Sequence, residues 1–391
     1  MAGIYIHIPF CRSRCIYCGF YSTTSLELRQ RYVDALCREM EIRGTGRLIS
    51  GQSPDQGPVP PISTIYLGGG TPSQLTFDQL RQLFIYINKV YPLPSKPGGA
   101  EDRPEITIEV NPDDVTVEFA AVLQQLPVNR VSMGIQTFDD QRLRFLRRRH
   151  TARQAIEAVS ILRAAGIRNI SIDLMYGFPG ESLADWEADI DTALALNVEH
   201  LSAYCLMIEE GTPLYRMLKQ HTGDEETERQ MYEVLIDRLT TAGYEHYEIS
   251  NFARPGFRSR HNSSYWNGTP YIGLGAAAHS YDIRSRSWNV ADIRQYIEGM
   301  ERCERIFEEE LLDDDTRYND IVTVALRTRE GIDLNALSEK YRNYCIKNAR
   351  RYLDDGLLEL TTPLSPVTSH LRLTRRGLFV SDMVMSNLMM V

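Results

Sequence analysis

Three cysteines, Cys11, Cys15 and Cys18, lie within eight residues of one another near the start of the chain. A short apolar strand pattern and Pro9 directly precede them. Three thiolates on one loop can each ligate one iron of a [4Fe–4S] cubane, which leaves the fourth iron open to another ligand. A structural zinc site, the main alternative, needs four protein ligands, and His7 is the nearest further candidate. Because no second cysteine pair of zinc spacing follows, the pattern favours the cluster over zinc and over ordinary thiols.

The remaining cysteines and the composition indicate a reducing, aqueous compartment. Cys37, Cys205, Cys303 and Cys345 stand singly, which is typical of small buried hydrophobes. Of the 391 residues, 43% are hydrophobic and 24% are charged, and the net charge of −9 argues against nucleic-acid binding. The chain shows neither a signal-peptide pattern nor an apolar run of about 18 residues. We therefore expect a cytoplasmic protein without a membrane span.

Residues 1–243 alternate short apolar runs with longer helical patterns. The strand patterns cover 3–8, 63–67, 105–110, 130–135, 169–173 and 200–204, and the helical patterns cover 26–43, 77–90, 115–124, 152–165, 183–196 and 225–242. Six βα repeats predict an α/β fold whose parallel sheet winds into a barrel or a partial barrel. Active sites of such folds lie at the carboxyl ends of the strands, and the cysteines follow the first of them.

The rest of the chain has a different texture. Residues 244–305 are aromatic and Gly-rich, and we expect an irregular connecting segment there. Residues 306–391 show two helical patterns, a strand-like pair and a final helix from Arg375, which predicts a smaller α+β, winged-helix-like domain. Two Gly/Pro-rich stretches, 44–61 and 92–104, are expected to be surface loops.

The cysteine segment, YIHIPFCRSRCIYCGF, resembles the radical SAM superfamily and, within it, the oxygen-independent coproporphyrinogen III oxidase group with its haem-chaperone relatives. The resemblance runs from Tyr5 to the C-terminal unit. It implies a partial (β/α)6 barrel with the C-terminal domain of that group. It also implies a [4Fe–4S] cluster whose open iron chelates S-adenosylmethionine (SAM), and an electron from the cluster would cleave SAM to methionine and a 5′-deoxyadenosyl radical.

The same resemblance implies a set of residues around SAM. They fall after successive predicted strands, so they would share one rim of the barrel. Each residue also has a structural alternative, such as a strand-to-helix turn, a loop cap or, for the basic run around Arg148, a solvated helix face. The residues are Tyr5, Tyr17, Gly69, Gly70, Thr71, Glu109, Gln136, Arg148 and Asp173.

Two features divide the oxidases from the haem chaperones of the HemW type. The oxidases carry a further cysteine one residue after the triad spacing, where this chain has Phe20. The chaperones carry an HNxxYW segment, present here as His261-Asn262-Ser263-Ser264-Tyr265-Trp266. Histidine and tyrosine are known axial ligands of haem iron, and the aromatic rings offer stacking area. His261, Tyr265 and Trp266 are therefore implied haem contacts, with His279 a second candidate ligand and a packed aromatic loop the structural alternative.

The resemblance thus implies a radical SAM haem chaperone that binds haem as cargo and passes it to a haem-requiring protein. It implies an electron donor as a second partner and SAM cleavage as an activity, and it leaves peripheral membrane contact open. The main alternative is an oxidase that decarboxylates two propionates of coproporphyrinogen III. A radical enzyme on another substrate and a binding module with a structural cluster are more distant alternatives.

Overall fold

The computed structural model describes residues 2–44, 62–91, 93, 103–218, 224–361 and 369–390. Six parallel strands form its centre, each paired with the next along the chain. Their buried runs of Ile, Val and Leu are typical of strands covered on both faces. The strands are β1 (Ala2–Ile8), β2 (Ile62–Gly69), β3 (Glu105–Val110), β4 (Arg130–Gln136), β5 (Ile170–Tyr176) and β6 (His200–Cys205).

Helices follow these strands and cover the outer face of the sheet. Thr76, Thr151 and Ser182 begin three of them with capping boxes, in which the cap side chain and the third helical residue satisfy each other's backbone N–H groups. The helices are α1 (Arg29–Gly44), α2 (Phe77–Val90), α3 (Val117–Gln124), α4 (Asp140–Phe145), α5 (Ala152–Ala164), α6 (Leu183–Ala195), α7 (Pro213–Leu218) and α8 (Glu225–Thr241).

Residues 244–305 are not irregular, so that prediction was wrong. They contain β7 (Glu245–Glu248), β8 (Asn251–Ala253), α9 (Arg260–Trp266), β9 (Tyr271–Leu274), β10 (His279–Tyr281), β11 (Ser285–Asn289) and α10 (Ile293–Glu301), and β12 (Phe307–Leu311) follows. These strands extend the sheet at both ends, in the order β12-β11-β10-β9-β1-β2-β3-β4-β5-β6-β8-β7. Each is only three to five residues long, which is too short for a readable period.

The C-terminal residues form a separate α+β unit with its own hydrophobic core. It consists of α11 (Asp314–Ala325), β13 (Ile332–Asp333), α12 (Glu339–Asp354), β14 (Leu358–Thr361), β15 (His370–Leu373), α13 (Arg375–Leu378) and α14 (Ser381–Leu388). Its antiparallel sheet has the order β13-β15-β14. The α/β fold class, with a mostly parallel sheet and a smaller α+β unit, is confirmed, while the boundaries at 243 and 305 stay predictions.

The two predicted surface loops, 44–61 and 92–104, fall almost entirely on residues that the structure does not describe, although Gly44 itself ends α1.

Among the described helices, none combines the length and the apolar composition needed to cross a membrane.

Candidate functional site

The cysteine loop leaves the carboxyl end of β1 and is fastened at its base and at its middle. The Cys11 N–H donates to the Thr23 carbonyl (2.9 Å) and the Thr23 N–H donates to the Pro9 carbonyl (2.7 Å). Halfway round, Ile16 is buried in a small apolar cluster with Leu146, Met175, Phe178, Leu206 and Leu214. An apolar residue between the second and third cysteines therefore holds the loop on the sheet, independently of the thiols.

The three thiols are free and partly buried. Cys11 Sγ lies 3.5 Å from Thr71 Oγ1, and Arg148 Nη1 donates to Cys15 Sγ over 3.6 Å. Burial raises the pKa of Cys11 and of Cys18, so without metal these thiols keep their protons at neutral pH and release them when metal binds. Three partly buried thiols on one loop, beside a guanidinium and a hydroxyl, are a donor set that suits an iron–sulfur cluster.

His7, the candidate fourth ligand of a zinc site, is already engaged. Its Nε2 donates to the Tyr21 carbonyl (2.9 Å), and its Nδ1 accepts from the Tyr5 hydroxyl (3.1 Å). Within the described part of the chain, no three His, Cys, Asp or Glu side chains converge on a position for one metal ion. A cubane instead takes one thiolate at each of several corners, so its ligands do not converge on one point.

The glycine run at the end of β2 packs tightly against β1. The Gly70 N–H donates to the Ile8 carbonyl (2.9 Å), and a Cβ on Gly70 would lie 2.6 Å from the carbonyl carbon of Pro9. Gly69 has φ +106°, and a Cβ there would lie 2.5 Å from Cε1 of His7. Both positions thus need glycine so that the end of β2 can lie against β1 and the cysteine loop. Contacts within the protein, and not with a ligand, are sufficient to require it.

We expect Gly69→Ala to lower the free energy of unfolding by about 2 kcal/mol more than Gly180→Ala. Gly180 is the matched control, because its φ is +77° and nothing lies within 4 Å of its built Cβ. It therefore reports the backbone penalty alone, whereas Gly69→Ala adds a collision with a hydrogen-bonded histidine. Urea unfolding measures both, and equal losses would show that His7 moves aside without cost.

Glu109 stands at the end of β3 with both carboxylate oxygens occupied. The Tyr66 hydroxyl donates to Oε1 (2.7 Å) and the Gly69 N–H donates to Oε2 (3.0 Å). Burial, with a smaller contribution from Asp173, raises the pKa of Glu109 to about 7 against these two hydrogen bonds. Glu109 therefore binds the glycine turn and, near neutral pH, can exist in either protonation state.

The pH dependence of stability should report this carboxyl group. Its pKa is about 7 in the folded protein and close to 4.5 when unfolded, so between these pH values the folded state holds a proton that the unfolded state lacks. Glu109 thus destabilises the protein progressively as pH rises through this window. Relative to wild type, Glu109→Gln should gain on the order of 3 kcal/mol from pH 4.5 to pH 7, at about 1.4 kcal/mol per pKa unit. Urea unfolding at several pH values measures this, and a pH-independent difference would contradict the raised pKa.

Arg148 is turned inward, away from the solvated face of its basic run. Arg147, at φ +58°, ends the turn after α4 in the left-handed conformation and redirects the chain. Arg148 Nη2 then donates to Asn111 Oδ1 (2.9 Å) and to the Gly134 carbonyl. Its buried Nε has no partner among the described residues. This unsatisfied donor at the carboxyl end of the sheet suits an anionic ligand such as the carboxylate of SAM.

Asn111 completes a chain of contacts between two cysteines and was missed by the sequence analysis. Its Nδ2 donates to Thr71 Oγ1 (3.1 Å), so the path runs Cys11–Thr71–Asn111–Arg148–Cys15. The available signal was its place in Glu-Val-Asn-Pro, directly after a predicted buried strand. The loop, β2, β3 and the turn after α4 therefore meet at one place.

The four other residues implied in SAM binding lie on β4, β5, the cysteine loop and β1, and each has its own set of contacts. Gln136 ends β4 at φ +75°, an unusual conformation for a non-glycine residue. Burial raises the pKa of Asp173 to about 6, against the effect of the Ser202 hydroxyl. Tyr17 lies beside Arg148 and the cysteines, and burial raises its pKa. Tyr5 is farther down β1, where its hydroxyl contacts His7 and its ring lies 6.2 Å from that of Tyr66.

The HNxxYW helix, α9, lies at the opposite end of the strands from the cysteines. Its first N–H groups, of Arg260 and His261, donate to the carboxylate of Glu105, the first residue of β3 (3.1 and 3.0 Å). A carboxylate at this end complements the positive end of the helix dipole. Because β1 spans seven residues at about 3.3 Å each, α9 and the cysteine loop are separated by roughly 20 Å.

His261 is buried with both ring nitrogens hydrogen-bonded. Nδ1 contacts Thr64 Oγ1 (2.8 Å) and Nε2 contacts the Tyr265 hydroxyl (2.9 Å). Burial and the positive charge of Arg130 lower the pKa of His261 to about 3, so the ring is neutral. A haem iron would have to displace Thr64 or Tyr265 to reach either nitrogen. The contacts of His261 in this structure hold α9 against the sheet.

The remaining implied haem contacts divide between two surfaces. The rings of Tyr265 and Trp266 line a cleft between α9 and the C-terminal unit. His279 is exposed on β10, where it stacks on Trp288 with ring centroids 5.8 Å apart, and it does not line this cleft.

Comparisons with known proteins agree with this architecture. The family model described as the radical SAM superfamily matches residues 5–193. The protein named heme chaperone HemW from Bacillus subtilis is 36% identical over 351 residues, which cover 87% of each chain. The protein of that name from Mycobacterium tuberculosis is 33% identical over 397 residues and covers 99% of this chain and 94% of its own.

The chain belongs to the HemW family of the radical SAM superfamily. Membership implies a [4Fe–4S] cluster and SAM as cofactors. The coproporphyrinogen III oxidase (HemN) of Escherichia coli shares the fold of this HemW-family chain, with a TM-score of 0.80 over 99% of this chain and 89% of that one. At 22% identity, the likeness to the oxidase concerns the fold alone.

Proposed function

We propose that this protein is a haem chaperone: it binds haem and delivers it to haem-requiring proteins. The observation that carries the proposal is the identity of 33–36% to proteins named heme chaperone HemW, over nearly the whole chain in the Mycobacterium tuberculosis relative. Two details of the chain agree with it. Phe20 stands where the oxidases carry a fourth cysteine, and its side chain is 69% exposed at the end of the cysteine loop. The HNxxYW segment forms a helix that places two aromatic rings on a cleft.

We propose further that Cys11, Cys15 and Cys18 hold the cluster. When bound, the cluster supplies an electron that cleaves SAM to methionine and a 5′-deoxyadenosyl radical. Arg148 would steady the Cys15 thiolate and offer its unsatisfied Nε to the SAM carboxylate, while Asn111 keeps Arg148 and Thr71 in register.

The SAM site, in this proposal, continues across the carboxyl ends of the strands. Gly69 and Gly70 let the end of β2 lie close to the cysteine loop, and Glu109 holds that turn through its backbone. Gln136 and Asp173 extend the polar wall along β4 and β5, and Tyr17 contributes aromatic surface beside Arg148. Tyr5, farther down β1, supports the site from behind by donating to His7.

At the opposite end, His261 acts as a positioning residue for the helix that carries Tyr265 and Trp266, which contact haem. The partners in this proposal are haem, a haem-receiving protein and an electron donor, and the location is the cytoplasm. The protein could deliver haem to a membrane-bound recipient by contacting the membrane surface, because this transfer needs no membrane-spanning segment.

An oxidase is the second candidate, because the cysteine segment resembles the coproporphyrinogen III oxidase group as well as its haem-chaperone relatives. One experiment separates the two functions. Protein reconstituted anaerobically with iron and sulfide is divided into two portions. The first portion receives reductant, SAM and coproporphyrinogen III, and the second is titrated with haem.

We expect the tetrapyrrole substrate to remain unconverted and the haem titration to shift the Soret band with a defined stoichiometry. Conversion to protoporphyrinogen over many turnovers would establish the oxidase instead. Absence of haem binding by protein with a full cluster would exclude the chaperone.

A further inference from the structure

A cleft of about 950 Å³ separates the HNxxYW region from the C-terminal unit. This is near the upper end of the range for small-molecule sites, which measure about 300–1,000 Å³. One wall comes from α9 and the strands after it, and the other comes from α11 and the segment following it. Neither unit alone encloses the space.

Aromatic rings cover the first wall. Tyr265 and Tyr271 meet edge to face with centroids 4.7 Å apart, and Tyr281 follows at 6.4 Å from Tyr271. Trp266 also lines the cleft, where it meets Tyr247 with centroids 5.9 Å apart. Such a row of rings offers a broad apolar surface to a flat ligand.

The second wall is aliphatic and belongs to one face of α11. Ile321 and Val324 line the cleft from that face, and Leu337 adds to it beyond the helix. Tyr318 and Val322, on another face of α11, pack in the core of the C-terminal unit. Within this wall, the Ile321 side chain is 40% exposed to the open cleft. The aliphatic face of α11 therefore has apolar surface that a ligand in the cleft would cover.

Two arginines cross the cleft and pair with acids of the opposite wall. Arg286 on β11 pairs with Asp320 on α11, and Arg258 pairs with Glu330 over 2.8 Å. Both pairs are partly exposed, so the arginines exchange partners at small cost. Arg286 also lies directly across the β10–β11 pair from Tyr281, at the aromatic wall.

We propose that this cleft is the haem site, with the macrocycle held between the aromatic wall and the α11 face and a propionate bound by Arg286 in place of Asp320. The inference rests on the proposed function and adds that the C-terminal unit supplies half of the site. A flat apolar ring system with carboxylates at one edge matches two apolar walls with an arginine between them. Haem in this site would bridge the two units.

The α11 wall is tested by filling the cleft. Val324→Trp places a bulky ring in the space, whereas Leu360→Trp adds the same ring on β14, at a side chain that is 53% exposed and outside the cleft. We expect Val324→Trp to weaken haem binding at least about tenfold and Leu360→Trp to leave it within about twofold. Circular dichroism and urea unfolding verify that both variants fold.

The role of Arg286 is tested with two variants that break the same ion pair. Arg286→Ala removes the cation, whereas Asp320→Asn removes only its present partner and leaves the arginine available. We expect Arg286→Ala to weaken haem binding about tenfold, and Asp320→Asn to leave it unchanged or to tighten it. Haem dimethyl ester, which has no free carboxylate, should bind wild type and Arg286→Ala equally. Equal losses in both variants would mean that the ion pair acts only structurally, which would overturn the carboxylate assignment.

The outcomes separate this inference from the proposed function. If wild type binds haem and folded Val324→Trp binds it equally well, the cleft is not the site, although the chaperone function stands. If wild type binds no haem, the proposed function itself fails.

Discussion

Cys15→Ser is expected to lose most of its iron and visible absorption after anaerobic reconstitution, whereas wild type should contain about four irons per chain. A serine hydroxyl deprotonates far less readily than a thiol, so it is a poor ligand at the cluster corner. The fold should survive, because Ile16 and the two backbone hydrogen bonds at Thr23 hold the loop without help from the thiols.

Cys303→Ser is the matched control for this measurement. Cys303 is an exposed free cysteine in the chain after α10, so the substitution changes the same atom without touching the cysteine loop. It should retain the full iron content. Iron retained by Cys15→Ser at the wild-type level, with unchanged absorption, would show that the cluster is bound elsewhere.

His261→Ala is expected to lower the free energy of unfolding by about 3–5 kcal/mol. The substitution leaves a cavity between α9 and the sheet, and it removes one hydrogen-bond partner each from the Thr64 hydroxyl and the Tyr265 hydroxyl. The imidazole itself is only 1% exposed and its bond to Thr64 is buried, so water does not readily fill the space or replace that contact. Urea unfolding of the two proteins measures the difference.

Trp266→Ala makes the informative comparison, since Trp266 belongs to the same helix but lines the cleft. It should weaken haem binding and cost less stability than His261→Ala. The folded fraction of His261→Ala should lose less haem affinity than Trp266→Ala, because the imidazole positions α9 and does not itself contact haem. Unchanged stability together with lost haem binding would instead make His261 an axial ligand.

Much of this molecule was predictable from the sequence because the relevant information is local. The bounds of β3 and α2 coincide with the patterns at 105–110 and 77–90, since apolar periodicity and caps are properties of a few neighbouring residues. The cysteine spacing likewise predicts a cluster-binding loop from three residues on one short segment. The placement of the residues after β2, β3, β4 and β5 on one rim follows from the parallel order of the strands.

The tertiary structure decided what depends on contacts between distant parts of the chain. The sequence left the inward turn of Arg148 open, because the side chain belongs to a basic run and its direction follows from the left-handed Arg147. The HNxxYW helix lies at the amino ends of the strands, away from the cysteines, and two long-range features place it there. One is the pairing of β9 with β1, and the other is the pair of hydrogen bonds that the first N–H groups of α9 donate to Glu105. The cleft likewise exists only where α11 faces α9, because its two walls come from units with separate cores. Local patterns specify which residues can do chemistry, whereas packing over long sequence separations determines which of them meet.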